Sequence, residues 1–264
     1  MYHDAKTNFM MTQGRFLVKL AEDRSELEKA LKLRFEVFNL ELKKGLAISY
    51  LNGMDTDEYD KYCAHLIVID ADFDRVVGTY RLLPGFVAEF NVGYYSENEF
   101  DMTNIKNLQG EKLELGRSCV HRDYRNAQVI NLLWAGIARY VELYNIRYLF
   151  GCASLCSSVT EEVSLVYSYL SRHHPAEPRY SVYPLQKVTG LRMLQVEDRR
   201  EALKMLPPLI KGYTSLGANI CGKPSYDAIF GTADFFVLLQ TEKIMARYRK
   251  KYFQEQEEAL CPVS

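Results

Sequence analysis

Hydrophobic positions in this chain change period several times, and each change marks an element. Residues 16–21 alternate weakly and read as a first strand. Ser25 with Glu28 three residues on forms a capping box, after which Leu27, Leu31, Arg34, Phe35 and Phe38 fall at helical spacing. Residues 43–62 carry Gly45, Asn52 and Gly53 and break that spacing into a long loop. A continuous apolar run at 65–70 and a second at 76–83 predict a hairpin of buried strands. After an irregular polar stretch at 84–110, residues 112–120 read as a third strand of this set. Helix signals begin at Asn126, the segment 129–144 is long and amphipathic, and a strand over 148–153 follows at once.

Further on, the spacing predicts a helix over 159–170, a loop with one extended segment over 175–190, and a charged helix over 198–205 stopped by Pro207 and Pro208. Two late strands are expected at 210–216 and 235–239, and a basic helix at 241–253. Strands and helices in this order predict an α+β fold with helices packed on a mixed sheet. With no repeat or low-complexity linker, a single domain is expected over 15–253, between a flexible leader (1–14) and a tail (254–264).

Composition narrows the class. Of 264 residues, 25% are charged and 48% hydrophobic, which suits a globular chain with a substantial core. A formal net charge of −1 gives no field for nucleic acid. No apolar run approaches the roughly 18–20 residues of a membrane span, and the polar start lacks a signal peptide's apolar stretch. A cytoplasmic protein is expected. The six cysteines form no C-x-x-C pair, and reduced, buried thiols are expected rather than a disulfide framework. No His–Cys cluster has metal-ligand spacing, so no metal is assigned.

Four segments carry more than fold class: Arg34-Phe-Glu-Val-Phe38, Asp57-x-x-Asp60, Gly78-Thr-Tyr-Arg81-Leu-Leu-Pro84 and Glu114-Leu-Gly-Arg117-Ser118. In this order they resemble the acyl-homoserine-lactone synthases, GNAT-like enzymes that use acyl carrier protein thioesters. Other pieces are closer to the ornithine N-acyltransferases of ornithine-lipid synthesis. These are Cys63-Ala-His65-Leu-Ile-Val, Val120-His-Arg-Asp-Tyr-Arg125, Lys211-Gly-Tyr-x-x-x-Gly217-Ala, Gly222-Lys-Pro224-x-x-Asp227 and Thr232-Ala-Asp234-Phe. The resemblance runs from about residue 16 to about residue 240. It implies a GNAT-like fold, a mostly antiparallel sheet splayed between the strands at 112–120 and 148–153. It also implies transfer of a (3-hydroxy)acyl group from acyl carrier protein, or from acyl-CoA, to the α-amine of ornithine. The product would be a lyso-ornithine lipid, and no permanently bound cofactor is implied.

The resemblance places catalysis on Glu114, Arg117 and Ser118. Glu114 is the candidate base, because an α-amine with a reference pKa of roughly 8 must lose a proton before it attacks. A period-2 strand would send Glu114 and Arg117 to opposite faces, so a bulge is expected at Gly116. Donor phosphate falls to Arg125 and the helix start at Asn126, Ala127 and Gln128, beside Val120, where the family usually has glycines. Acceptor and acyl contacts fall to Arg34, Phe38, Asp57, Asp60, His65, Arg81 and Asp227. Asp57 and Asp60 either receive a second cationic group or orient Arg34 and Arg81. Arg81 pairs with Asp60 or binds a substrate carboxylate, and His65 is a core histidine or a base. The basic C-terminal helix is assigned to a carrier protein, to peripheral contact with the inner membrane, or to solvent. The other functions weighed are acyl-homoserine-lactone synthase, a synthase for glycine or another N-acyl amino acid, and a non-catalytic module that binds lipid or carrier.

Overall fold

The computed structural model describes residues 9–157, 159–196 and 199–242. In chain order the elements begin with β1 (Met10–Gln13), β2 (Phe16–Leu20), α1 (Arg24–Arg34), β3 (Ala64–Asp70), β4 (Arg75–Pro84) and α2 (Gly85–Ala88). Next come β5 (Phe100–Asp101), α3 (Thr103–Lys106), β6 (Glu111–Val120), α4 (Ala127–Tyr144), β7 (Ile146–Leu155) and α5 (Thr160–His173). The last are β8 (Tyr183–Pro184), α6 (Arg199–Met205), α7 (Pro208–Ser215), β9 (Asn219–Ile220), β10 (Ser225–Asp227) and β11 (Thr232–Gln240). They pack as two compact units, 1–93 with 113–146, and 94–112 with 147–264.

In the first unit β1, β2, β3, β4 and β6 pair antiparallel in that order. Strands β3 and β4 are buried along almost their whole length because both faces of the sheet are covered. Adjacent residues divide the work, as a period of 2 requires. Ile67 joins Ala30, Leu33 and Val37 in the cluster under α1, while Leu66 lies against Gly136 of α4. That contact is close: a Cβ on Gly136 would stand 2.6 Å from Leu66 Cδ1 and 3.1 Å from Val18 Cγ2. Helix α4 is capped by Asn126, whose Oδ1 accepts the Val129 amide, and Asn145 in the left-handed region ends it.

In the second unit β7, β11 and β10 pair antiparallel, with β9 also on β11. Aromatic rings fill its core, Phe150 stacking on Phe236 at 5.4 Å and Phe100 meeting Phe236 edge-on.

Three expectations change. The cap of α1 is Asp23 rather than Ser25; its carboxylate accepts the Glu26 amide, and Glu26 returns to the Glu22 amide. Residues 210–216 are helical, not extended. Pro208 sits in the first turn of α7, and Ile210 and Tyr213, three apart, supply its buried side. The expected leader ends early, because Met10–Gln13 pairs with Phe16–Lys19 across a turn in which Gly14 has φ +60°. The basic helix expected at 241–253 lies, from 243 onward, outside the described residues. Those cysteines that are described are free.

Replacing Gly136 by valine forces a side chain into the α4–β3 contact and should cost about 1–3 kcal/mol. Urea denaturation of Gly136→Val against the parent chain measures it.

Candidate active site

Every residue expected at the catalytic centre belongs to the first unit, and the loop 52–63 gathers most of them. Helix α1 runs on through a π-helical segment, Phe35–Glu41, whose wider turn is closed by the Leu42 amide on the Val37 carbonyl. Arg34 stands at that junction, 1% exposed. Its Nε and Nη2 donate to Asp55 Oδ1 at 2.8 and 2.5 Å, and its Nη1 and Nη2 donate to the two Asp60 oxygens at 2.6 and 3.2 Å. Arg81, opposite on β4, donates through Nη1 to Asp57 Oδ1 at 2.5 Å and to Asp60 Oδ1 at 3.1 Å. Arg117 reaches Asp57 Oδ2 at 3.5 Å and lies 3.8 Å from Asp55 Oδ1. Three guanidinium groups thus face three carboxylates, and the formal charges of the lattice cancel.

Backbone amides fix the acids in turn. The Asp57 amide donates to Asp60 Oδ2, and the Tyr59 amide donates to Asp57 Oδ1. Burial alone would raise the Asp60 carboxyl, but Arg34 and Arg81 hold it far below the usual carboxylate range. The same balance lowers Asp57, where Arg81 is the leading cation. In the structure Asp57 and Asp60 both pair with arginines. Asp55, not among the expected site residues, completes the set. Its D-x-D-x-x-D spacing with Asp57 and Asp60 was the available signal.

His65 is buried, with Nε2 3.0 Å from the Asp60 carbonyl. Burial pushes its pKa down to about 4, so it is a neutral core histidine at physiological pH.

Strand β6 carries the bulge, one residue later than expected. Thr79 opposes Cys119 and Arg81 opposes Gly116, which leaves Arg117 and Ser118 together facing the single residue Tyr80. Arg117 occupies the left-handed region at φ +48°, a conformation costing roughly 1–2 kcal/mol for a residue with a Cβ. Its guanidinium lies over the Phe38 ring at 5.8 Å from the centroid. Glu114 is 4% exposed, so neither it nor Arg117 forms the solvated face that a non-catalytic module would present. Burial first, helped by Asp60 and Glu114, pushes the nearby Cys63 thiol up to about 12.

The expected donor end is set apart on the surface. Asn126, Ala127 and Gln128 are exposed at the start of α4, and the 18 residues of that helix direct its positive end there. Arg125 makes a bidentate pair with Glu41 at 2.6 and 2.7 Å and also donates to the Val120 carbonyl. It is therefore engaged rather than open. Asp227 belongs to the second unit.

The model for the acetyltransferase (GNAT) domain matches residues 33–135. An L-ornithine N(alpha)-acyltransferase of Brucella abortus (strain 2308) is 36% identical over 255 residues, 92% of this chain and 90% of its own length. One of Rhizobium meliloti (strain 1021) is 36% identical over 259 residues, 93% and 87% of the two chains. Among solved structures, FeeM, an N-acyl amino acid synthase from uncultured soil microbes, superposes with a TM-score of 0.51 at 8% identity. That match covers 88% of this chain and 94% of that one, and at such identity the likeness is one of fold.

Two outcomes test the lattice. Asp60→Asn leaves three guanidinium groups facing two carboxylates, one buried positive charge in excess, and should cost about 3–5 kcal/mol of stability, read by thermal or urea unfolding. His65 binds its proton more weakly folded than unfolded, so it contributes stability above pH 6.5 that is lost as pH falls towards about 4. A His65→Gln variant should show a flatter stability profile across that window.

Proposed function

The chain belongs to the L-ornithine N(alpha)-acyltransferase family, and on that basis we propose that it transfers a fatty (3-hydroxy)acyl group from a phosphopantetheine thioester to the α-amine of L-ornithine. The observation that carries the reading is the bulge of β6 beside buried Glu114, set against a charge-neutral arginine–aspartate lattice. A bulge frees backbone amides from the ladder, and amides so freed can polarise a thioester oxygen. Glu114 accepts a proton from the acceptor's ammonium, the free amine attacks the thioester carbonyl, and the carrier thiol leaves as the C–S bond breaks and the amide forms. Arg117 and Ser118 position the two partners.

The exposed start of α4 receives the donor's phosphate through its first free amides. Arg125 joins only by leaving Glu41. Acyl carrier protein is the proposed donor, acyl-CoA the alternative, and the product is a lyso-ornithine lipid. No described helix is long and apolar enough to cross a membrane.

Incubating the purified chain with acyl carrier protein thioester and one amino acid at a time should release carrier thiol with ornithine. Release with glycine alone, or with none, overturns the reading. Glu114→Gln should lower turnover by at least about 100-fold, the usual scale for a general base, while carrier binding persists; full turnover would remove Glu114 from the mechanism.

A further inference from the structure

The stretch that follows α1 leaves large apolar side chains uncovered. Leu40 and Leu42 lie at the end of the π-helical segment, and Ala47–Leu51 form a 3₁₀ turn. Ile48 and Leu51 stand three apart on that turn, where a 3₁₀ winding brings side chains into line, and Ser49 between them is buried. Exposure runs from 46% at Leu40 and Leu42 to 61% at Ile48 and 81% at Leu51.

This is an ordered stretch. The Asn39 side chain donates to the Leu46 carbonyl at 2.8 Å, and the Tyr50 hydroxyl donates to the Asn39 carbonyl at 3.0 Å. The Tyr50 ring meets Phe35 edge-on at 5.3 Å, and the Lys44 amide donates to the Phe38 carbonyl at 2.8 Å. A Cβ on Gly45 would run into the Asn39 side chain, so the backbone approaches that side chain closely. Single exposed leucines are ordinary, but four large apolar side chains on two turns tied to each other make a patch.

Charge decides what covers it. The acids of the stretch are answered within the chain, Glu36 by Arg75 at 3.0 Å and Glu41 by both Nη atoms of Arg125. Lys43 stands exposed between Leu42 and the 3₁₀ turn, with Lys44 beside it. The patch therefore presents positive charge among apolar side chains.

We propose that Leu40, Leu42, Ile48 and Leu51, with Lys43, seat this chain on an anionic lipid surface. Apolar insertion and attraction to anionic headgroups are each weak alone and bind stably together. The choice of a lipid surface over a protein rests on the acyl amino acid proposed above as product, a molecule that leaves water for a bilayer. Neither acceptor nor donor takes part in the contact, so the two readings can fail separately.

Flotation of the full chain with phosphatidylcholine vesicles, with and without phosphatidylglycerol, tests it. Binding should be about 10-fold tighter to the anionic vesicles, as two lysines near such a surface supply, and should weaken in high salt. Ile48→Asp and Leu51→Asp change exposed positions, so they should fold and turn over substrates as the parent does. Each should bind the vesicles about 10-fold less. In Leu51→Trp the new indole should shift its emission to the blue on vesicles, a change the buried Trp134 does not give. Acid variants that fold and bind vesicles like the parent overturn the surface and leave the acyl-transfer reading intact. A parent chain that binds no vesicle overturns it too. So does self-association without vesicle binding that Leu51→Asp abolishes, which would mark a contact between copies. A parent that binds vesicles through these residues but transfers no acyl group supports the surface and overturns the acyl-transfer reading alone.

Discussion

The buried pairing of Arg34 with Asp55 and Asp60 is the constraint from which the first unit is arranged. A guanidinium at 1% exposure is tolerated only where carboxylates meet it in bidentate geometry. That requirement brings the loop 52–63 onto the end of α1, and Asp60 then hands the same negative charge to Arg81 on β4. Helix, loop and strand are fixed to one another by a few ionic hydrogen bonds rather than by a regular ladder. The loop is long, yet it has little freedom.

The sheet supplies a rigid frame for this lattice because it is closed on both faces. Leu66 and Ile67 belong to opposite layers, and Gly136 lets α4 come close enough to seal one of them. Against that frame the register shift in β6 moves Arg117 and Ser118 out of the ladder without disturbing Glu114, which still opposes Leu83. A charged lattice, a displaced pair of residues and a helix start are thus held by one packed layer.

Much of this was legible in the sequence. Period-2 and period-3.6 patterns located β2, α1, β3, β4, β6, α4, β7, α5 and β11, since each buries a face of its own. The departures share a physical cause. At Asp23 and Ser25 two capping residues competed, and only the backbone at Asp23 has the extended conformation a cap requires. In α7 a short apolar run fits either period, and Pro208 decided for helix. Ordered motifs brought Arg34, Asp57, Asp60, Arg81, Glu114 and Arg117 to one place, but which arginine each acid pairs with depended on which guanidinium reached it.

Arg117 carries a side chain through a backbone conformation that glycine would adopt freely. Position 117 therefore sets two demands against each other, a relaxed main chain and a cation over Phe38. A selection that rewarded heat resistance alone would drift towards glycine there and leave Asp57 short of one partner. With arginine at 117, the fold accepts a strained main chain and in return holds a cation between Asp57 and Phe38.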